Sequence, residues 1–128
     1  MKLLLDTHTF IWLDTEPERL SGPALAACQQ PDNELILSVV SIWEMQIKSQ
    51  LGRLDLEVGI RDMVETQAED NGMRTLPVNA EHVYSLNRLP ALHKDPFDRL
   101  LAAQAVTENA VLVTADQLLR GYPAETLW

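Results

Sequence analysis

The chain has 128 residues, 46% of them hydrophobic, a single cysteine and a formal net charge of −9. That length and apolar content predict one domain with its own core, and one cysteine excludes an internal disulfide and a multi-cysteine zinc site. The acidic balance argues against a broad, charge-driven nucleic-acid surface, but not against an enzyme that meets phosphate through a bound cation and a few local arginines.

Lys2 to Leu5 reads as a first strand. Asp6 follows it and cuts the apolar run Leu3-Leu4-Leu5 far short of a signal-peptide core. No apolar stretch is long enough to cross a bilayer, and a reducing cytoplasm is the expected setting for a soluble chain with one cysteine, Cys28. A helix is predicted over Thr7 to Leu13, then a turn at Glu16-Pro17 and a helix from Ala24 to Gln30. The turn Pro31-Asp32-Asn33 leads into a second strand, Glu34 to Ser38. Its continuous run Leu35-Ile36-Leu37 suits a strand buried on both faces, as in parallel sheets.

Val39 to Leu51 is predicted as a helix stopped by Gly52, with Val39, Val40, Trp43, Ile47 and Leu51 as its apolar stripe and Glu44 at the border. A helix over Val58 to Asp70, a strand over Met73 to Leu76 and a helix over Ala80 to Arg88 follow. Asp95 and Pro96 form an N-cap and first helical residue for a helix reaching Asn109. Val111 to Val113 is a fourth strand, Ala115 to Arg120 a short helix, and Glu125 to Trp128 a final edge strand. Alternation of strands and helices predicts a layered α/β fold with a mainly parallel sheet.

Sites in such folds lie beyond the carboxyl ends of the strands. Asp6 and Asp116 fall directly after strands, at that end. Glu44 and Asp98 lie in early turns of helices that can point at the same rim. Each acid also has a local explanation. Asp6 and Asp116 can cap the turns that follow them, and Glu44 can pair with Lys48 on a solvated face. Asp98 can complete a capping box with Asp95, although its neighbours Leu101, Ala102 and Ala105 put it on an apolar face. We assign capping to Asp95 and the site to Asp98. If the four converge, their mutual repulsion demands protons or a divalent cation, and an all-carboxylate donor set favours Mg²⁺ or Mn²⁺ over Zn²⁺.

Thr7, Ser41 and Thr114 lie near the acids and suit hydrogen bonds to them or to metal-bound waters, with ordinary capping the simpler role for Ser41. Arg99 is placed to hold substrate phosphate and equally to form a surface salt bridge. His8 and His93 can reach substrate but lack metal-ligand spacing. Trp12, Trp43 and Trp128 are assigned to core or interface rather than to base stacking.

The segments Leu4-Leu5-Asp6-Thr7-His8, Ser38-Val39-Val40-Ser41-Ile42-Trp43-Glu44, His93-Lys94-Asp95-Pro96-Phe97-Asp98-Arg99-Leu100-Leu101-Ala102-Ala103-Gln104-Ala105 and Leu112-Val113-Thr114-Ala115-Asp116 together resemble a PIN-domain protein of the VapC toxin type. The likeness runs nearly end to end. It implies a three-layer α/β/α fold and Mg²⁺- or Mn²⁺-dependent cleavage of RNA, with Asp6, Glu44, Asp98 and Asp116 matching the family's metal-binding acids. It further implies a homodimer and a cognate antitoxin protein that inserts a tail near the active site. Cleavage of DNA, RNA processing without an antitoxin, and a non-catalytic binding module organised by metal stand as alternatives on the residues alone.

Overall fold

The protein is described over residues 1–128 by a computed structural model. Strands β1 (Lys2–Leu5), β2 (Glu34–Ser38), β3 (Arg74–Leu76), β4 (Val111–Val113) and β5 (Thr126–Leu127) form one sheet in the order β3-β2-β1-β4-β5. Every pairing is parallel, and Leu3 of β1 lies between Leu35 of β2 and Val111 of β4.

Successive side chains of a strand point to opposite faces. Leu3, Leu5, Leu35, Leu37, Val111 and Val113 therefore join one apolar cluster, while Leu4, Ile36 and Leu112 join another. On the first face lie α1 (Thr7–Thr15), α2 (Gly22–Gln29) and α4 (Ile60–Asn71), through Phe10, Ala24, Cys28, Ile60 and Met63. On the second face Leu101, Ala102, Ala103 and Ala105 of α6 (Pro96–Glu108) pack with Leu76 and Leu89. Helix α3 (Val39–Gln50) bridges the layers, with Met45 in one cluster and Val40 in the other. The architecture is three-layer α/β/α, and both faces of the sheet are covered because its central strands are apolar on both sides.

Several element ends differ from those expected. Ser21 accepts from Ala24 N and Pro23 occupies the first turn, so α2 starts at Gly22 rather than Ala24. Gly59 caps α4, which begins at Ile60 and stops at Gly72, a residue in the left-handed region at φ 65°. The helix expected over Ala80 to Arg88 is α5 (Ala80–Tyr84) followed by a 3₁₀ turn over Ser85–Arg88. The segment after β4 is a 3₁₀ turn at Gln117–Gly121.

The larger correction concerns α3. Its buried residues are Val40, Ser41, Glu44 and Met45, whereas Val39, Trp43 and Leu51 of the expected apolar stripe are 40%, 57% and 60% exposed. The helix is rotated by about one residue, roughly 100°, from the hydrophobic optimum. Polar contacts from α1 to Ser41 and Glu44 hold that face inward. Trp43 is left outside, edge-on to Phe97 with ring centroids 5.1 Å apart.

Candidate active site

The central strand β1 ends at Asp6. Its neighbour β2 leads directly into α3, and β4 on the other side leads to Thr114-Ala115-Asp116. The chain runs outward from β1 in opposite directions at this rim, which is where crevices form in open parallel sheets.

Asp6 caps α1 and faces the site together. Its Oδ1 accepts Thr9 N–H at 2.8 Å, and its Oδ2 accepts the Thr114 hydroxyl at 2.5 Å. Glu44 is only 3% exposed. Its Oε1 accepts the Thr7 hydroxyl at 2.7 Å, and its Oε2 accepts from Lys48 Nζ at 2.5 Å. The Lys48 pairing thus holds a buried carboxylate, not one on a solvated face. Thr7 has one hydroxyl proton, which Glu44 receives, so Ser41 Oγ, 3.0 Å from Thr7 Oγ1, is the donor in that contact. Ser38, not Ser41, caps α3. Thr7→Val is expected to destabilise the protein by about 1–3 kcal/mol, because a buried acceptor loses its donor. Urea melts at pH 7 check this, and an unchanged midpoint would contradict the contact.

Asp95 Oδ1 takes the Phe97 and Asp98 backbone N–H groups, which leaves the Asp98 carboxylate free of capping duty. Burial first, and then the neighbouring carboxylates of Asp95 and Glu44, push its pKa up to about 7 against the opposing pull of His93. Asp116 accepts Leu118 N–H through Oδ1 at 2.9 Å, so it caps the 3₁₀ turn, and it turns Oδ2 toward His93. Asp6, Glu44, Asp98 and Asp116 line one cleft of about 320 Å³ with Thr7, His8, Trp12, Lys48 and Asp95.

His93 links two of the acids, a role stronger than the substrate contact expected for it. Its Nε2 lies 2.8 Å from Asp116 Oδ2 and 3.2 Å from Asp98 Oδ2. Burial opposes its charged form, but the hydrogen bond to Asp116 and the carboxylates of Asp98, Asp116 and Asp95 outweigh that, and its pKa is raised. These three residues bring one ligand atom each within 4.8 Å of the others. The tautomer nonetheless makes His93 a donor rather than a ligand. Asp95 N–H points at Nδ1 at 3.1 Å, so the ring proton sits on Nε2, facing the carboxylates. The only sequence cue to this role is the position of His93 two residues before the cap of α6.

Arg99 is corrected on both counts. Its guanidinium donates to the carbonyls of Pro90 and Leu86 and to the Tyr122 hydroxyl, and it neither lines the cleft nor forms a salt bridge. It follows Asp98 by one residue, about 100° around α6, and so faces the Leu86–Leu92 connection instead.

The donor set fits a hard divalent cation. Carboxylate oxygens dominate the cleft, and Lys48 is its one lysine or arginine. The raised pKa of Asp98, due first to burial and then to the carboxylates of Asp95, Glu44 and Asp6, is in keeping with a site short of positive charge.

Comparison with known proteins gives a consistent result. The PIN domain family model matches residues 3–124. The chain is 31% identical over 121 residues to Ribonuclease VapC22 of Mycobacterium tuberculosis, covering 94% of this chain and 91% of that protein. Among solved structures, VapBC2 from Rickettsia felis bound to a promoter DNA fragment aligns with a TM-score of 0.73 at 16% identity, over 99% of this chain and 98% of that one. VapBC-1 from nontypeable Haemophilus influenzae aligns with a TM-score of 0.66 at 21% identity, over 99% and 97%. Those two likenesses are of fold.

Proposed function

We propose that this chain, which belongs to the PIN domain family, is a VapC-type endoribonuclease that hydrolyses RNA phosphodiester bonds with Mg²⁺ or Mn²⁺ at its acidic cleft. The observation that carries the reading is the convergence of Asp6, Glu44, Asp98 and Asp116, from four separate segments, on one cleft.

Asp6, Glu44, Asp98 and Asp116 would hold the cation. When bound, it supplies a water of lowered pKa and neutralises charge building on the phosphate oxygens. The chain's own groups set the geometry. Thr114 and the Thr9 amide hold Asp6, Thr7 holds Glu44, and His93 holds Asp116. Carboxylates fixed in this way meet a cation without reorganising, which is how a preorganised polar site gains its effect. Lys48, half-exposed beside Glu44, is placed to take a phosphate oxygen once the cation balances the acids.

Solved structures of similar fold include a toxin–antitoxin complex from Klebsiella pneumoniae, and an antitoxin partner is part of this reading. A homodimer acting in the cytoplasm completes it. No helix is long and apolar enough to cross a membrane.

The test is incubation of the purified chain with total RNA and Mg²⁺ or Mn²⁺, beside samples with EDTA. Discrete fragments with 5′-phosphate and 3′-hydroxyl ends are expected, abolished by EDTA. Ends of 2′,3′-cyclic phosphate would contradict attack by water, because they report attack by the RNA's own 2′-hydroxyl. Equal cleavage of DNA of the same sequence would replace RNA by nucleic acid in general as the substrate class.

A further inference from the structure

The helices that carry Glu44 and Asp98 share a second connection, outside the cleft. Gln104 stands on α6, six residues beyond Asp98, and is fully buried, as are Ser38 and His82. Gln104 Oε1 accepts the Ser38 hydroxyl at 2.5 Å, and Ser38 Oγ in turn accepts Val40 N–H, capping α3. Gln104 Nε2 lies 3.3 Å from the Pro77 carbonyl just after β3, and 3.3 Å from His82 Nδ1 on α5. His82 Nδ1 is an acceptor, because Asn79 N–H also points to it at 3.1 Å, and its Nε2 faces Glu108 Oε2 at 2.9 Å.

Only an amide satisfies all three neighbours. It must accept from a hydroxyl on one side and donate to a carbonyl and an imidazole nitrogen on the other. Glutamate would set an acceptor against two acceptors. Leucine would leave the Ser38 hydroxyl and the Pro77 carbonyl without their partner in a dry interior.

We propose that Gln104 is a positioning residue that sets the separation of Glu44 and Asp98, although it touches neither. Its amide ties the N-terminus of α3 to the middle of α6. Each carboxylate lies six residues along its helix from that tie, about 9 Å away on a rigid rod, so a shift at the tie displaces one acid relative to the other. The proposal rests on the reading of the cleft as a cation site.

The experiment compares Gln104→Leu, Ser38→Ala and the double variant with wild type, and uses Met63→Ala, on the opposite face of the sheet, as a control for lost stability alone. Mg²⁺ affinity is measured by calorimetry, and RNA cleavage is resolved into kcat and KM. Both single variants are expected to weaken Mg²⁺ binding roughly tenfold and to lower kcat with KM within about twofold, as loss of a group supporting metal ligands does. The double variant should lose less than the sum of the two single ones, since both break the Ser38–Gln104 bond although each also loses a contact of its own. Met63→Ala should melt earlier with its Mg²⁺ affinity intact. If Gln104→Leu and Ser38→Ala behave like Met63→Ala, Gln104 serves stability only and the proposal fails. If Gln104→Leu does not fold, Gln104→Asn, which draws the amide back from Ser38 but leaves the Ser38 cap on α3, decides in its place. A wild type that binds no Mg²⁺ overturns the cleft reading and the proposal with it, whereas normal binding in wild type and variants alike overturns the role of Gln104 alone.

Discussion

Replacing Asp98 by asparagine is expected to lower metal-dependent RNA cleavage by at least about 10³-fold, while the metal-free protein becomes more stable at pH 8. The first effect follows from removing one of the proposed cation ligands, because a bound cation's stabilisation of developing charge is worth several kcal/mol in the transition state. The second follows from the environment. Asp98 is a carboxylate that burial and the acids around it disfavour in its charged form. An uncharged isostere removes that repulsion, and the backbone capping of α6 is untouched because Asp95 provides it. Asp6→Asn should lose activity similarly but lose stability as well. Each Asp6 oxygen accepts a hydrogen bond, and an asparagine NH₂ would either meet Thr9 N–H donor to donor or face the Thr114 hydroxyl and take away the acceptor of its proton. Single-turnover cleavage and thermal melts in EDTA read both quantities. An Asp98→Asn protein that cleaves RNA at the wild-type rate would remove Asp98 from the site, and one that melts earlier at pH 8 would contradict the repulsion.

Metal-free wild type should lose stability as pH rises from about 4 to about 7, and Mg²⁺ should restore it at the upper end. Between the unfolded value of 3.8 and the folded value of about 7, the folded Asp98 holds a proton that the unfolded one releases. Folding therefore weakens across that interval and levels off above it. His93 acts in the same direction. Its folded pKa is raised above 6.5, so its contribution is full below that value and fades as pH climbs through the folded one. The interval between 3.8 and about 7 corresponds to a loss on the order of a few kcal/mol. Mg²⁺ at a hundred times its dissociation constant returns about 2.7 kcal/mol at pH 7.5. Denaturation across pH 4–8, with and without Mg²⁺, measures the slope. A slope equally steep in Asp98→Asn would assign it to other groups.

The acids were legible in the sequence because each is tied to a local signal. Asp6 and Asp116 directly follow apolar strand runs, and parallel strands put all their carboxyl ends at one rim. Asp98 stood out because Asp95-Pro96 already supplies the cap of its helix. Asp6 and Asp116 each cap the turn that follows and also line the cleft. The properties of one helix alone do not decide which of its faces is buried. Hydrophobicity favours the stripe of α3 that contains Trp43, but Thr7 from another helix draws Ser41 and Glu44 inward and turns Trp43 out. Adjacency to Asp98 does not bring Arg99 to the cleft, because neighbours on a helix point about 100° apart.

The pattern of strand-length apolar runs, caps and breakers in this chain by itself determined the alternating elements, the parallel sheet and which carboxylates reach its rim. These depend on residues near one another along the chain. The tertiary structure alone decided which face of α3 is buried, that His93 spans Asp98 and Asp116, that Arg99 turns away, and that Gln104 joins α6 to the start of α3. Each of those is settled by a hydrogen bond between residues distant in sequence, whose partner is known only once the helices have packed.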